Sequence, residues 1–232
     1  MITVASYNIR KGIGTDRRRQ PQRVLDVLHE VHADVVALQE ADRRFGARQS
    51  ALPPELIAAH GDYRPVPFDI RPGGLGWHGN AILVKKPVEI LDFEPIHLPT
   101  LEPRGAVLAE LRVGGQNLRV VGMHLDLSGL WRRRQVRAII AHVKARRHHM
   151  PTVLMGDLNE WSLHGGCIRD FMVDHRVAAT GRSFHSRRPI GCLDRIVASN
   201  DVHVVSCGVH VSDRARMASD HLPIWARVTL PN

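Results

Sequence analysis

Apolar and β-branched residues crowd positions 2 to 8 and 34 to 39, each reading as a strand, and between them lies a segment from 21 to 32 opened by Pro21. A proline's fixed φ suits the first turn of a helix, so the order is strand, crossover helix, strand. The stretch from 41 to 78 reads as loop-rich, whereas 81 to 85, 106 to 113 and 118 to 124 are strand-like, the last two joined by Gly114 and Gly115 as a hairpin. From 129 to 148 a second helix follows, with Leu130, Val136, Ile139, Ile140 and Val143 recurring at helical spacing. After it come a strand ending at Asp157 and strands near 194 to 198, 202 to 211 and 222 to 230. Hairpins mixed with two crossover helices predict two mixed sheets packed face to face with helices outside, a four-layer α-β-β-α sandwich. With no internal repeat, low-complexity tract or shift in composition, residues 1 to 232 read as one domain.

Polar residues punctuate this pattern where the strands stop. Asn8, Glu40, His124, Asp157, Asn159, Asp194, Asp220 and His221 all fall at or just beyond strand ends, where sheet enzymes build their sites. Singly, each has a plain alternative as a turn, cap or salt-bridge residue. Together they suit a single chemistry. Asn8, Glu40, Asp220 and Asp157 offer hard oxygen donors for Mg²⁺ or Mn²⁺, beside two imidazoles able to work near neutral pH. Zinc is disfavoured because no His-x-x-x-His or His/Cys spacing lies on one element. A phosphoester is the expected substrate, with the cation neutralising phosphoryl oxygens and a carboxylate or histidine orienting water.

Composition adds little to the fold but narrows the partners. Hydrophobic residues make up 44% and charged residues 24%, ordinary globular usage, and no segment approaches the ~20 apolar residues of a membrane span. Met1 runs straight into Ile-Thr-Val-Ala-Ser-Tyr without the features of a secretory leader, so the expectation is a cytoplasmic monomer without an obligate protein partner. Cys167, Cys192 and Cys207 have no Cys-x-x-Cys spacing, which argues against disulfides and a thiolate metal site. The formal net charge of +9 favours polyanions such as DNA or RNA, or an anionic membrane surface. Arg17, Arg18 and Arg19, Arg43 and Arg44, Arg132, Arg133 and Arg134, and Lys144, Arg146 and Arg147 form clusters, the last two of them expected on a solvated helix face. Aromatic residues at 5% argue against a platform that stacks many bases.

Seven motifs in order then bear a family likeness. Tyr-Asn-Ile-Arg at 7 to 10, Leu-Gln-Glu at 38 to 40, Gly-Asn-Ala-Ile-Leu at 79 to 83, Met-His-Leu-Asp at 123 to 126, Gly-Asp-Leu-Asn at 156 to 159, Leu-Asp-Arg-Ile at 193 to 196 and Ser-Asp-His-Leu-Pro-Ile at 219 to 224 resemble those of the endonuclease/exonuclease/phosphatase superfamily, whose fold is that of deoxyribonuclease I. The resemblance implies a divalent-metal phosphoesterase in which Glu40 is the main metal ligand with Asn8 and Asp220 near it. By the same likeness, Asp157 and Asn159 position the attacking water and the scissile phosphate, and His221 contacts that phosphate with Asp194 orienting its ring. His124 resembles the second histidine of the deoxyribonuclease and sphingomyelinase branches, a candidate acid for the leaving group. Arg10, Asn80 and Arg104 are the implied substrate-binding residues. The choice of base stays open between Asp157 and His221.

Departures from the pattern sort the substrates. Abasic-site endonucleases of the superfamily carry an acidic residue where this chain has Arg10, and a mid-chain tyrosine where it has His124. Arg10 matches the deoxyribonuclease start, yet small bacterial-type relatives beginning Tyr-Asn-Ile-x-Lys-Gly look closer overall, and for these the likeness names no substrate. Nucleic acid is the leading expectation, phospholipid or inositol phosphate the alternative, and a catalytically inactive polyanion-binding module a third, weighed down by the intact Glu40, Asp157, Asn159 and His221. The Arg10 to Arg23 loop, with Gly12 and Gly14, is expected to hang freely at the cleft rim.

Overall fold

The computed structural model describes residues 1–42, 50–68, 73–100 and 104–231. Arg43 and Arg44, expected to add to the basic surface, lie outside the described residues. Twelve strands fold as β1 (Ile2–Asn8), β2 (Val35–Gln39), β3 (Tyr63–Pro65), β4 (Ala81–Lys85), β5 (Glu89–Ile96), β6 (Gly105–Val113), β7 (Gln116–His124), β8 (Thr152–Asp157), β9 (His175–Val177), β10 (Asp194–Ser199), β11 (His203–Val209) and β12 (Ile224–Thr229). Among the described residues five α-helices accompany them: α1 (Pro21–Val31), α2 (Pro54–His60), α3 (Gly129–Lys144), α4 (Gly166–Phe171) and α5 (Asp213–Ala218).

The strands form two six-stranded mixed sheets, ordered β11-β12-β1-β2-β4-β3 and β5-β6-β7-β8-β10-β9. Each sheet has one parallel pair at its centre, β1 with β2 across α1 and β7 with β8 across α3, and antiparallel pairs outside it. Parallel neighbours need a crossover, and an amphipathic helix supplies it while covering the sheet's outer face. Three apolar clusters fill the layers. Val4, Ala37, Ile82, Val107, Val120, Met155 and Ile196 pack between the sheets. Tyr7, Leu25, Leu28 and Leu38 fill the space under α1, and Val121, Leu154, Val136, Ile139 and Phe171 that under α3 and α4. The α-β-β-α sandwich expected from the strand and helix pattern is the fold.

Side-chain alternation sets up the site. In β1, Val4 faces the inter-sheet core, and the next two positions on that face are Ser6 and Asn8. Likewise Met155 leads to Asp157, and Ile196 leads back to Asp194. At one end of the sandwich the inner apolar face therefore turns polar.

Several elements escape the pattern reading. Strands β3 and β9 have three residues each, and β5 is a half-exposed edge strand containing Pro95, so none shows a clean period of two. Helices α2, α4 and α5 are too short to complete a convincing apolar stripe. Helix α3 ends at Lys144 rather than 148, Leu130 is exposed, and Arg132 is buried instead of solvated. Its guanidinium pairs with Glu160 at 3.1 Å and donates to the Leu127 carbonyl, so it ties α3 to the turn after β8. Nor does the segment after β1 hang freely: Thr15 donates its amide to the Met217 carbonyl, Arg23 pairs with Asp16 at 2.8 Å, and a Cβ on Gly14 would lie 2.5 Å from the Met217 oxygen.

Gly156 is the tightest point of the sandwich. A Cβ there would meet the Met123 carbonyl oxygen at 1.8 Å, because β7 and β8 pair Met123 with Gly156 directly before the site. Gly156→Ala is expected to destabilise the fold by about 3 kcal/mol, since backbone must shift rather than a side chain rotate. Denaturant melts of the two proteins check this, and an unchanged midpoint would contradict it.

Candidate active site

Register aligns three expected residues in one row: His124 lies opposite Asp157 on β8, and Asp157 opposite Asp194 on β10. Across the sandwich, Asn8 on β1 lies opposite Gln39 on β2, the residue before Glu40. The sheets therefore present their polar ends to each other, and the Asn8 amide donates to Asp157 Oδ2 at 3.0 Å. Two imidazoles approach the same oxygen, His124 Nε2 at 3.5 Å and His221 Nε2 at 3.7 Å. The other carboxylate oxygen, Oδ1, accepts from the Asn159 backbone at 2.9 Å, while the Asn159 side chain donates to the Leu125 carbonyl.

His221 is held from behind. Its Nδ1 lies 2.8 Å from Asp194 Oδ2, which also accepts from the Ser183 hydroxyl, and the Phe184 ring packs 4.8 Å from the imidazole. Burial alone would lower this histidine's pKa, but the charges of Asp194 and Asp157 and the Asp194 hydrogen bond outweigh it, raising it to about 10. The imidazolium is thus the resting form at neutral pH, with a proton on each ring nitrogen.

Around this centre the remaining residues close the site. Ser219 donates to the Asn8 carbonyl, which brings Asp220 and His221 against the end of β1. Arg10 reaches Asp220 at 3.2 Å and Lys11 reaches Glu40 at 2.5 Å. Glu40 and Asn159 both take positive φ, 52° and 50°, so the chain turns sharply as it leaves β2 and β8. Asn80 is fully buried; its amide donates to the Gly105 carbonyl at 2.9 Å, and its Oδ1 has no hydrogen-bond partner among the described residues. Arg104 sets one guanidinium nitrogen 2.9 Å from His124 Nε2 and 3.1 Å from Nδ1.

Two sets of donors stand at this end. Asp157, Asp194 and His221 form a buried group whose ligand atoms all lie within 4.8 Å of one another, but the protonated His221 ring has no lone pair to offer a metal. Glu40, Asp220 and the Asn8 carbonyl oxygen offer only oxygen donors, the chemistry of Mg²⁺ or Mn²⁺. The Lys11 ammonium and the Arg10 guanidinium pair with these two carboxylates, so a metal would share or displace those contacts on binding.

Motif reading missed Ser183 and Phe184, because nothing in the loop before β10 marks them; the Ser183 to Asp194 hydrogen bond and the Phe184 to His221 bridge bring them in. Lys11 stands inside the opening motif but gave no sign of its pairing with Glu40.

With this geometry in place, the sequence pattern of the Endonuclease/Exonuclease/phosphatase family matches residues 5–221. The chain belongs to that family. Among its relatives, YbhP of Escherichia coli, an uncharacterised protein, is 26% identical over 98% of this chain and 96% of its own. Two solved structures share the fold. Bacteroides thetaiotaomicron mannosyl-6-phosphatase Bt3783 has a TM-score of 0.74 and 18% identity, covering 99% of this chain and 100% of the other. D. rerio TDP2 complexed with single strand DNA product has 0.72 and 18%, covering 98% of each. Family membership makes the chain a hydrolase of phosphoester bonds in a family that uses divalent metal. No helix among the described residues is long and apolar enough to cross a membrane.

The raised pKa of His221 has a consequence for stability. Its folded value lies above the ordinary 6.5, so its stabilising contribution is complete below about pH 6.5 and disappears as pH rises through about 10. Asp194→Asn is expected to lower the His221 pKa by ~1–3 units and to cost stability mainly below pH 10. NMR titration of His221 in EDTA-treated protein checks the first, and melts at pH 7 and above 10 the second. A His221 pKa unmoved by the substitution would contradict the assignment.

Proposed function

We propose that this chain is a divalent-metal-dependent phosphodiesterase acting on nucleic acid, with Asp157 at the centre of its chemistry. What carries the reading is the convergence of the Asn8, His124 and His221 nitrogens on Asp157 Oδ2, beside Glu40 and Asp220. A cation held by Glu40, Asp220 and Asn8 would neutralise the phosphoryl oxygens and the developing leaving oxyanion. Asp157 accepts a proton from the attacking water, since His221 already carries its proton and faces the phosphate as a donor from Nε2. Asn8 and the Asn159 backbone hold the Asp157 carboxylate in place. His124, with Arg104 against its ring, stands on the opposite side of Asp157 and protonates the leaving oxygen.

Support for a polyanionic substrate comes from the rim. Arg17, Arg18 and Arg19 are exposed, as are Arg182, Arg187 and Arg188 on the loop that carries Phe184, and Arg187 donates to the Thr15 carbonyl at 3.2 Å. Two basic loops meet beside the site, one from each end of the sequence. Phosphates along a strand would contact such a rim repeatedly, whereas a sugar phosphate of the kind named for the Bacteroides phosphatase would touch only the centre. The Mg²⁺ or Mn²⁺ requirement, the cytoplasmic setting and the absence of an obligate protein partner belong to this proposal.

Hydrolysis of bis(p-nitrophenyl) phosphate with Mg²⁺ or Mn²⁺ is expected to exceed that of p-nitrophenyl phosphate, to vanish with EDTA and to return on adding the metal. Glu40→Gln should weaken both rate and metal dependence. Full turnover in EDTA, or a preference for the monoester, would sink the reading, and release of headgroups from phospholipid vesicles but no nicking of plasmid DNA would redirect it to lipids.

Changing Arg17, Arg18 and Arg19 together to alanine should weaken binding to a short DNA duplex. The salt slope should fall by up to roughly 0.9 per lost phosphate contact, with hydrolysis of the small diester unchanged. Equal affinity and slope in both proteins would leave the rim with no substrate role.

A further inference from the structure

At the other end of the first sheet, remote from Glu40, a histidine of α1 meets a histidine and an aspartate from the turn between α2 and β3. His29 lies in the last turn of α1, His60 ends α2, and Asp62 precedes β3. Tyr63, next to Asp62, lies opposite Lys85 on β4, whose neighbour Val84 lies opposite the first residue of β2. Glu40 follows the last residue of that strand.

Both histidines direct Nδ1 at the same carboxylate oxygen. His29 Nδ1 lies 2.6 Å from Asp62 Oδ2 and His60 Nδ1 lies 3.6 Å from it, with all the ligand atoms within 4.8 Å of one another. The longer separation is not a hydrogen bond, and His60 Nδ1 is a buried nitrogen without a hydrogen-bond partner among the described residues. A nitrogen desolvated in that way and facing a carboxylate is satisfied by a cation bound to both. In contrast to the oxygen-rich active end, two imidazoles and one carboxylate are the donors that zinc prefers. A tetrahedral zinc with bonds of about 2.0–2.1 Å sets its ligand atoms about 3.3 Å apart. The two contacts to Asp62, 2.6 Å and 3.6 Å, lie on either side of that separation, and a metal would take the place of the His29 to Asp62 hydrogen bond.

The frame that holds the donors is built in advance. The Tyr63 hydroxyl donates to the Ala33 carbonyl at 2.8 Å, fixing the start of β3 to the chain leaving α1. Gly61 takes φ 90°, a turn that sends both His60 and Asp62 toward α1. Water would complete the shell.

We propose that His29, His60 and Asp62 form a second metal site, selective for Zn²⁺ or a similar transition cation over Mg²⁺, which staples α1 to the turn between α2 and β3. The site takes no part in hydrolysis and acts on stability. It is independent of the substrate reading, because none of its residues lies at the polar end of the sandwich.

The test uses the full chain, stripped with EDTA and kept in excess Mg²⁺ to occupy the oxygen-donor site. ZnCl₂ at a hundred times its Kd should raise Tm by roughly 5–10 °C. Co²⁺ should give the intense visible absorption of a tetrahedral complex. Both signals should be lost in His29→Ala/His60→Ala and reduced in His29→Ala alone, whose side chain is 63% exposed and whose folding is therefore secure. Glu40→Gln should keep both signals, and His29→Ala/His60→Ala should keep the diesterase rate. No zinc shift in the wild type, signals persisting in the double variant, or signals lost in Glu40→Gln would each overturn the proposal.

Discussion

Everything in the site depends on a carboxylate that the fold buries between two sheets. Asp157 is 2% exposed, and a lone ionised group at that depth would cost several kcal/mol. Asn8 from the opposite sheet, His124 from the neighbouring strand and His221 from the loop before β12 surround its Oδ2, so the charge is stabilised only when both sheets are packed. Sandwich assembly and site assembly are therefore one event. The Asp194 to His221 contact adds a second buried charge pair beside the first, and the two together keep the imidazole protonated well above neutral pH.

The inter-sheet core makes this arrangement possible. Its middle is apolar from Val4 through Val120 to Met155, and its far edge is polar because the same alternation continues past the apolar positions to Ser6 and Asn8 on β1, Asp157 on β8 and Asp194 on β10. Gly156 lets β8 lie tightly against Met123 at that point, which sets the height of Asp157 relative to His124. A helix-based site would spread its donors around a cylinder, whereas six-stranded sheets deliver them in rows.

The two proposed metal sites contrast in chemistry and in setting. Glu40, Asp220 and Asn8 stand at strand ends, where Arg10 and Lys11 pair with the two carboxylates. His29, His60 and Asp62 stand where helix ends meet a strand start, held by the Tyr63 hydroxyl. The first arrangement suits a cation exchanged around a phosphoester, the second a cation kept as a fastening.

How much was legible beforehand follows from the range of each interaction. The strand and helix pattern established the layers, since β1, β2, β7, β8 and the helices between them are long enough to carry their period, and the motifs placed Asp157 and His221 at strand ends. Glu40 stands just past β2 for the same reason. Edge strands β3, β5 and β9 were not legible, because β3 and β9 are too short to carry a period and β5, half in solvent, needs no apolar alternation. Arg132 was misplaced for a related reason: an arginine at helical spacing reads as solvated until Glu160 is found opposite it. The meeting of Asn8 with Asp157, 149 residues apart, the capture of His221 by Asp194 and Ser183, and the joining of His29 to Asp62 exist only through packing. Local sequence determines which face a side chain takes, and only the folded sheets decide which distant partner that face meets.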